Sequence, residues 1–294
     1  MKKIIFLVLL ISLSNLTSQS SIDCNSNLSI FAEYYKVKNY EAAYEPWMSV
    51  RKECPKINPA IYFQGSRMLD EFIKKSEGET KNAYQKDLLK LYDEWLIYFP
   101  AYNGRSIIGQ IMSNKAQKMI DYKLASKSEI YALFEDAYQT DPLSFDDPKP
   151  LYSYFKTYFE LYKDGENDIT LNQIFNKYEE LSERYNSIID EYSKQIDIII
   201  NKENSGIALT SREKRNKRVY EINSNASNIY LRNLNAIIAK ESTCENLIPL
   251  YRKNLEENKT NPVWLNRAAS RMDSKECSDD PLFVVLVELL HNLN

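Results

Sequence analysis

Histidine is almost missing from this chain of 294 residues, with His291 the only one. A zinc site built on several imidazoles is thereby excluded, and a serine or cysteine nucleophile activated by histidine would have to rely on a residue three places from the last one. Glycine is nearly as scarce, at six residues. All-β folds and phosphate-cradling loops depend on glycine for positive φ and close backbone approach, so its shortage points to long helices with few tight turns. Neither common Gly-rich phosphate motif occurs. Charge of one sign is lacking too: 38 Lys and Arg against 41 Asp and Glu leave a net −3. That balance gives no general attraction to nucleic acid or to anionic lipid. Beyond the first residues no apolar run could serve as a transmembrane anchor.

The beginning of the chain is informative. Met1-Lys2-Lys3 is followed by an apolar run from Ile4 to Ile11, and then by Ser12, Ser14, Thr17, Ser18 and Ser20. A basic start, a short apolar core and a small-residue exit predict a secretory signal peptide over residues 1–20, cut between Ser18 and Ser21. The apolar run is about half the ~20 residues that a retained spanning helix needs. Cys24 follows Asp23 rather than a small residue, which argues against lipid attachment. A periplasmic or envelope-associated location is expected.

Export would place Cys24, Cys54, Cys244 and Cys277 in an oxidising compartment, where an even number of cysteines favours disulfides. Three connectivities are possible. The local gaps of 30 and 33 residues each match one helical hairpin, whose antiparallel helices bring the start of the first beside the end of the second. Cys24–Cys54 and Cys244–Cys277 are therefore favoured, each constraining the unfolded chain by about 3–4 kcal/mol. The wide single spacings lack the CxxC pattern of zinc sites.

The next signal is a repeat. Residues 27–35 end a first helix, Asn39-Tyr40 turns the chain, and residues 41–50 form a second helix closed by Cys54-Pro55. Ala43 is small where two helices cross, Trp47 fills the groove between hairpins, and Pro55 stops the helix. Residues 58–100 repeat the plan with Gly65, Leu88, Tyr92, Trp95 and Pro100, around an expected exposed loop at 75–80. Residues 102–142 repeat it again with Gly109, Ile130, Phe134, Ala137 and Pro142. Tyr34, Tyr40, Ala43, Trp47, Val50 and Pro55 in the first copy, with the two later copies in register, resemble the tetratricopeptide repeat, a helix–turn–helix unit. The resemblance covers about 120 residues. It implies a solenoid of stacked hairpins over 21–150. It also implies a partner-binding inner face, lined by the first helix of each hairpin, at Tyr35, Tyr62, Ser66, Gln110 and Asn114.

Asp146 to Pro150 breaks the pattern, and 151–163 reads as an aromatic helix ended by Asp164-Gly165. Asp164, Glu166 and Asp168 alternate as calcium ligands do, but Ile169 replaces the required glycine and Phe175 the closing glutamate. Leu171, Ile174, Tyr178, Leu181, Tyr185, Ile188 and Tyr192 then recur three and four residues apart, the seam of a long helix pair. A second long helix is expected from a cap at Ser211 to Lys240, facing inward with Val219, Ile222, Ala226, Ile229, Leu234 and Ile237. Together 151–242 predict an antiparallel helical arm, and 243–294 a unit of short helices with Trp264 and Leu265 in its core. The last helix is apolar most of the way round and is expected to pack.

No catalytic motif, cofactor signature or metal-ligand set stands out, so the expectation is a non-enzymatic interaction protein. The run Arg212, Lys214, Arg215, Lys217, Arg218 is the one strong charge cluster, and its ordinary role is a solvated helix face. In overall layout the chain resembles exported helical-repeat proteins of Bacteroidota. That resemblance implies a scaffold or adaptor binding a protein or peptide. A glycan-binding accessory protein and a cell-wall enzyme with a carboxylate in a cleft are the alternatives.

Overall fold

The structure, a computed structural model, describes residues 23–293. The expected signal peptide at 1–20 lies outside the described residues. Within them the chain is all-α: twelve helices and one two-stranded hairpin. It divides into two compact units between Tyr84 and Gln85. The expected segment limits at 150 and 242 both fall inside the second unit.

In the first unit, the Asp23 carboxylate accepts from the Asn25 and Ser26 amides to start α1 (Cys24–Lys36). Asn39 does the same for α2 (Tyr40–Glu53) through Ala42. Capping of this kind satisfies donors that the first turn cannot pair itself. α2 and α3 (Ala60–Lys75) bury Ala43, Trp47, Val50, Ile61, Tyr62, Met68 and Leu69 completely. Trp47 is seated by its Nε1–H, which donates to the Ile61 carbonyl at 2.7 Å. A Cβ on Gly65 would lie 2.6 Å from that indole nitrogen, so only glycine lets the ring lie flat on α3. The Cys24–Cys54 disulfide ties the start of α1 to the end of α2.

The loop expected at 75–80 is shorter than predicted. α4 (Gly78–Tyr98) already begins at Gly78, because the Glu77 carbonyl accepts from the Lys81 amide as a helix start requires. Only Ser76 and Glu77 remain between α3 and α4.

After α4 the second unit has a feature the repeat reading did not anticipate. β1 (Ala101–Tyr102) pairs with β2 (Arg105–Ser106) around Asn103-Gly104. Both turn residues have positive φ, 50° and 75°, as a type I′ hairpin turn demands. α5 (Ile108–Tyr122) and α6 (Lys127–Thr140) follow, α6 begun by a Ser126–Glu129 capping box. Asp147 caps α7 (Pro148–Asp164), which has proline in its first turn and ends at Gly165 with φ 72°.

Capping boxes also start both long helices: Thr170–Gln173 for α8 (Leu171–Asn204) and Thr210–Glu213 for α9 (Ser211–Glu241). The α9 cap is thus Thr210, not Ser211. The two run antiparallel, with Tyr178 bonded to Asn235 near one end and Lys202 to Glu213 near the other. α8 buries Ile174, Leu181, Tyr185 and Ile188, the seam read from its spacing.

On α9 the expected inward face holds toward the C-terminal end, where Leu234 is buried and Ile237 packs against the core, and fails before it. Ser227 and Ile238 are also buried, while Val219, Ile222 and Ile229 face solvent. The buried stripe is partly polar: Asn223 donates to the Tyr192 hydroxyl at 3.3 Å.

α10 (Cys244–Asn258), α11 (Pro262–Ser274) and α12 (Pro281–Leu293) complete the unit. Leu265 is fully buried and Trp264 packs edge-on against Tyr251. The Cys244–Cys277 disulfide, the second favoured pairing, closes this segment. α12 packs through Leu282 and Leu286, but Val284, Val285 and Val287 remain exposed, so it is buried on one face only.

Candidate functional site

A cleft of about 880 Å³ in the second unit is built from the β1–β2 hairpin, the start of α5, the loop 141–146 and the side of α8. Glycine shapes it: a Cβ on Gly109 would collide with the Asp141 carbonyl oxygen, so the start of α5 can lie against that loop only without a side chain. Asp141 is held by hydrogen bonds from Ser106 Oγ at 2.6 Å and Ser144 Oγ at 2.5 Å. These donors outweigh its partial burial and hold its carboxyl below the usual range. Asp146 is the opposite case. Burial is the largest influence, Arg184 opposes it, Asp147 and Glu191 add to it, and its pKa is pushed up to about 6.

Arg184 reaches over from α8 and donates through Nη2 to the Leu143 carbonyl at 2.7 Å. Its Nε is buried and bonds to none of the described residues. Arg105 and Glu191 add one charge of each sign to the lining, and Tyr102 and Leu143 stand at the cleft 53% and 79% exposed. The chemical capacity of this arrangement is twofold. It offers two apolar contacts beside paired charges, and two carboxylates whose environments separate their proton affinities.

Elsewhere in the second unit, a polar cluster locks α6, α7 and α8 together. Glu135 accepts from Tyr131 at 2.6 Å, Tyr154 at 2.5 Å and Gln139 at 2.9 Å, and Lys177 donates to the Tyr154 hydroxyl at 2.9 Å. Burial alone would raise the Glu135 pKa; these donors and the Lys177 charge outweigh it and bring it down to about 2. Its partners are satisfied, which marks it as a structural joint.

The residues expected to line an inner binding face fall in both units: Tyr35, Tyr62 and Ser66 in the first, Gln110 and Asn114 in the second. Tyr35 is half-buried in the first unit, its ring 5.5 Å from that of Tyr40. Tyr62 has no exposed surface and donates its hydroxyl to the Pro55 carbonyl at 2.9 Å. Ser66 is buried and donates to the Phe63 carbonyl at 3.1 Å. Both serve the core of the first unit, on the face of α3 that packs inward. Gln110 is exposed and lines the cleft, and Asn114 lies half-buried one turn further along α5, outside the cleft lining.

Sequence reasoning missed Asp141, Asp146, Arg105 and Arg184. Asp146 lay in a stretch read only as a helix break; the signal that could have found it is that Asp147 alone suffices to cap α7. In the basic run, Lys217 pairs with Glu203 at 2.6 Å, and Glu213 is taken by Lys202 at 2.5 Å. Among the described residues no group of His, Cys, Asp and Glu converges as metal ligands would, and no helix is long and apolar enough to cross a membrane. No family model, no curated protein and no solved structure matches the chain.

Proposed function

We propose that this chain is an exported helical scaffold of the tetratricopeptide type, periplasmic or envelope-associated, that binds a segment of a partner protein in the cleft around Asp146. One observation carries the reading: a carboxylate kept costly to ionise sits where exposed apolar side chains and unspent hydrogen-bonding capacity meet. A fold that gained nothing from Asp146 would gain stability by replacing it. Tyr102 and Leu143 supply apolar anchors, Arg105 and Arg184 bind acceptors, and Asp146 and Glu191 bind donors, a combination suited to a peptide with its own backbone groups. The disulfides and the resemblance of the three N-terminal hairpins support the compartment and the family.

The test replaces Leu143 with a photo-crosslinking residue in the full chain and irradiates the envelope fraction. Crosslinks that map to one short segment of one protein, and vanish in Arg184→Ala, support the reading. Crosslinks no different from those at an exposed control such as Lys86 sink it.

A second reading has its own observation. Asp141 held ionised and Asp146 held protonated to about pH 6 form the base-and-acid pairing used on glycosidic bonds. In that reading Asp146 would protonate the leaving oxygen and Asp141 would act on the opposite side of a cell-wall glycan. Release of soluble fragments from purified peptidoglycan, abolished by Asp146→Asn, would favour it over the scaffold.

A further inference from the structure

The outer face of α9 carries a heptad seam. Arg212, Arg215, Val219, Ile222, Ala226 and Ile229 recur at alternating intervals of three and four, which draws a single stripe along a helix. The stripe that α9 turns toward α8 is a different one, through Asn223, Ser227 and Leu234. Val219, Ile222 and Ile229 are 44%, 56% and 40% exposed, an apolar row in register with no cover. At its N-terminal end Arg212, Lys214, Arg215 and Arg218 are exposed and pair with none of the described carboxylates. Between 193 and 222 the chain carries seven lysines and arginines against four carboxylates, although its net charge overall is −3. The principal core of the second unit stops at Tyr192 on α8 and takes up again at Tyr230 on α9, so this stripe lies outside it.

We propose that the stripe receives one helix of a partner protein, amphipathic and acidic, laid along α9. Its apolar residues would cover Val219, Ile222, Ala226 and Ile229, and its carboxylates would face Arg212, Arg215 and Arg218. The regular spacing selects a helix, since side chains of a packed helix need holes at intervals of three and four. The small Ala226 between Ile222 and Ile229 leaves such a hole. A bilayer surface needs no such register, and helices that lie on bilayers carry aromatic residues with lysines along the flanks. Here the positions flanking the stripe from 216 to 232 are Asn216, Arg218, Asn223, Asn225, Tyr230 and Arg232, with one aromatic ring and no lysine among them.

A second copy of this chain fits less well. Two α9 seams paired antiparallel about their midpoint would set Arg212 against Ile229 and Arg215 against Ala226, leaving the cations uncompensated. A parallel pair would oppose arginine to arginine.

The inference stands on residues outside the cleft and survives or fails independently of it. Its test uses the full chain and a fluorescent synthetic peptide of about four heptads, with Ile and Leu at the core positions and Glu at the flanking ones. The glutamates also keep the peptide from pairing with itself. A control peptide carries Lys in place of Glu.

The acidic peptide is expected to saturate with an affinity in the micromolar range that weakens with salt, and the lysine peptide to bind at least about tenfold more weakly. Ile222→Glu and Arg215→Glu, both at exposed positions, should each weaken the acidic peptide by about tenfold or more while leaving the thermal melt unchanged. Ile198→Glu, exposed on α8, should leave binding unchanged. The proposal is overturned if both peptides bind alike or neither binds, or if Ile222→Glu binds as the parent does. It is equally overturned if the chain binds phosphatidylglycerol vesicles through these residues instead, or if it sediments as a dimer that Ile222→Glu dissociates.

Discussion

Replacing Asp146 with asparagine should stabilise this protein at neutral pH. The folded state holds the Asp146 carboxyl at about 6, against 3.8 when it is free of the fold. Because the folded pKa lies above the unfolded one, the native state binds the extra proton between roughly pH 4 and 6. Stability therefore falls as pH rises through that window, and the cost is complete above it. At face value a shift of about two units is worth about 3 kcal/mol. The side chain is only half-buried and Arg184 is close, so screening reduces the expected cost to about 1–2 kcal/mol.

Asparagine has nearly the same shape and cannot ionise. Urea unfolding followed by far-UV circular dichroism should show the variant more stable than the parent by about 1–2 kcal/mol at pH ~7.5, with the two converging near pH ~3.5. A variant that is less stable at neutral pH, or whose advantage does not shrink in acid, refutes the assignment of burial as the cause. Improved stability combined with lost binding or turnover is the result the functional reading requires, because a costly group persists only where it is used.

Glu135 should behave in the opposite sense. Its folded pKa of about 2 lies below the ordinary 4.5, so its contribution is present above about pH 5 and is lost as the pH falls toward 2. The side chain is 31% exposed, so the full value is discounted to about 1–2 kcal/mol, and Glu135→Gln should flatten the acid limb of a pH–stability curve by that amount. Gly65→Ala should cost about 1–3 kcal/mol in thermal or chemical unfolding, since the buried Trp47 ring must shift. Gly109→Ala meets a backbone carbonyl that cannot rotate away and should fall at the upper end, about 3 kcal/mol. Mutating Cys244 and Cys277 together to serine should remove about 3–4 kcal/mol, read from the shift in urea midpoint.

Where one face of a helix is buried and the other is wet, period and punctuation describe the element well. The seam from Leu171 to Tyr192 works for this reason: α8 is buried on one stripe, and that stripe is apolar. Prolines and glycines marked ends with similar success, as at Gly165 and Pro262, because each acts through local backbone geometry. The disulfide pairing followed from hairpin geometry, which is also local. The two-residue strands at 101–106 escaped because residues 102–142 were read as one helical repeat, though the dipeptide Asn103-Gly104 alone predicts a tight hairpin turn. Legibility fails for sites made by distant segments. The Asp146 cleft needs Arg105, Ser106 and Gln110 from one stretch and Arg184 and Glu191 from another, and nothing in either stretch points to the other.

The misreading of α9 has a more specific cause. Hydrophobicity identifies a buried stripe only when burial is the sole reason to be apolar. On α9 the stripe facing α8 is supplied by Tyr220, Asn223, Ser227 and Leu234, where hydrogen bonding and small size do part of what apolar area does elsewhere. The more regular apolar stripe, Val219 to Ile229, points outward. Leaving β-branched side chains in water forgoes about 1.5–3 kcal/mol apiece relative to full burial, while polar residues occupy the interior face. Local packing of this chain offers no return for that arrangement. A second helix laid against the outer stripe does, and the unpaired arginines at its end specify the sign of charge that helix must carry.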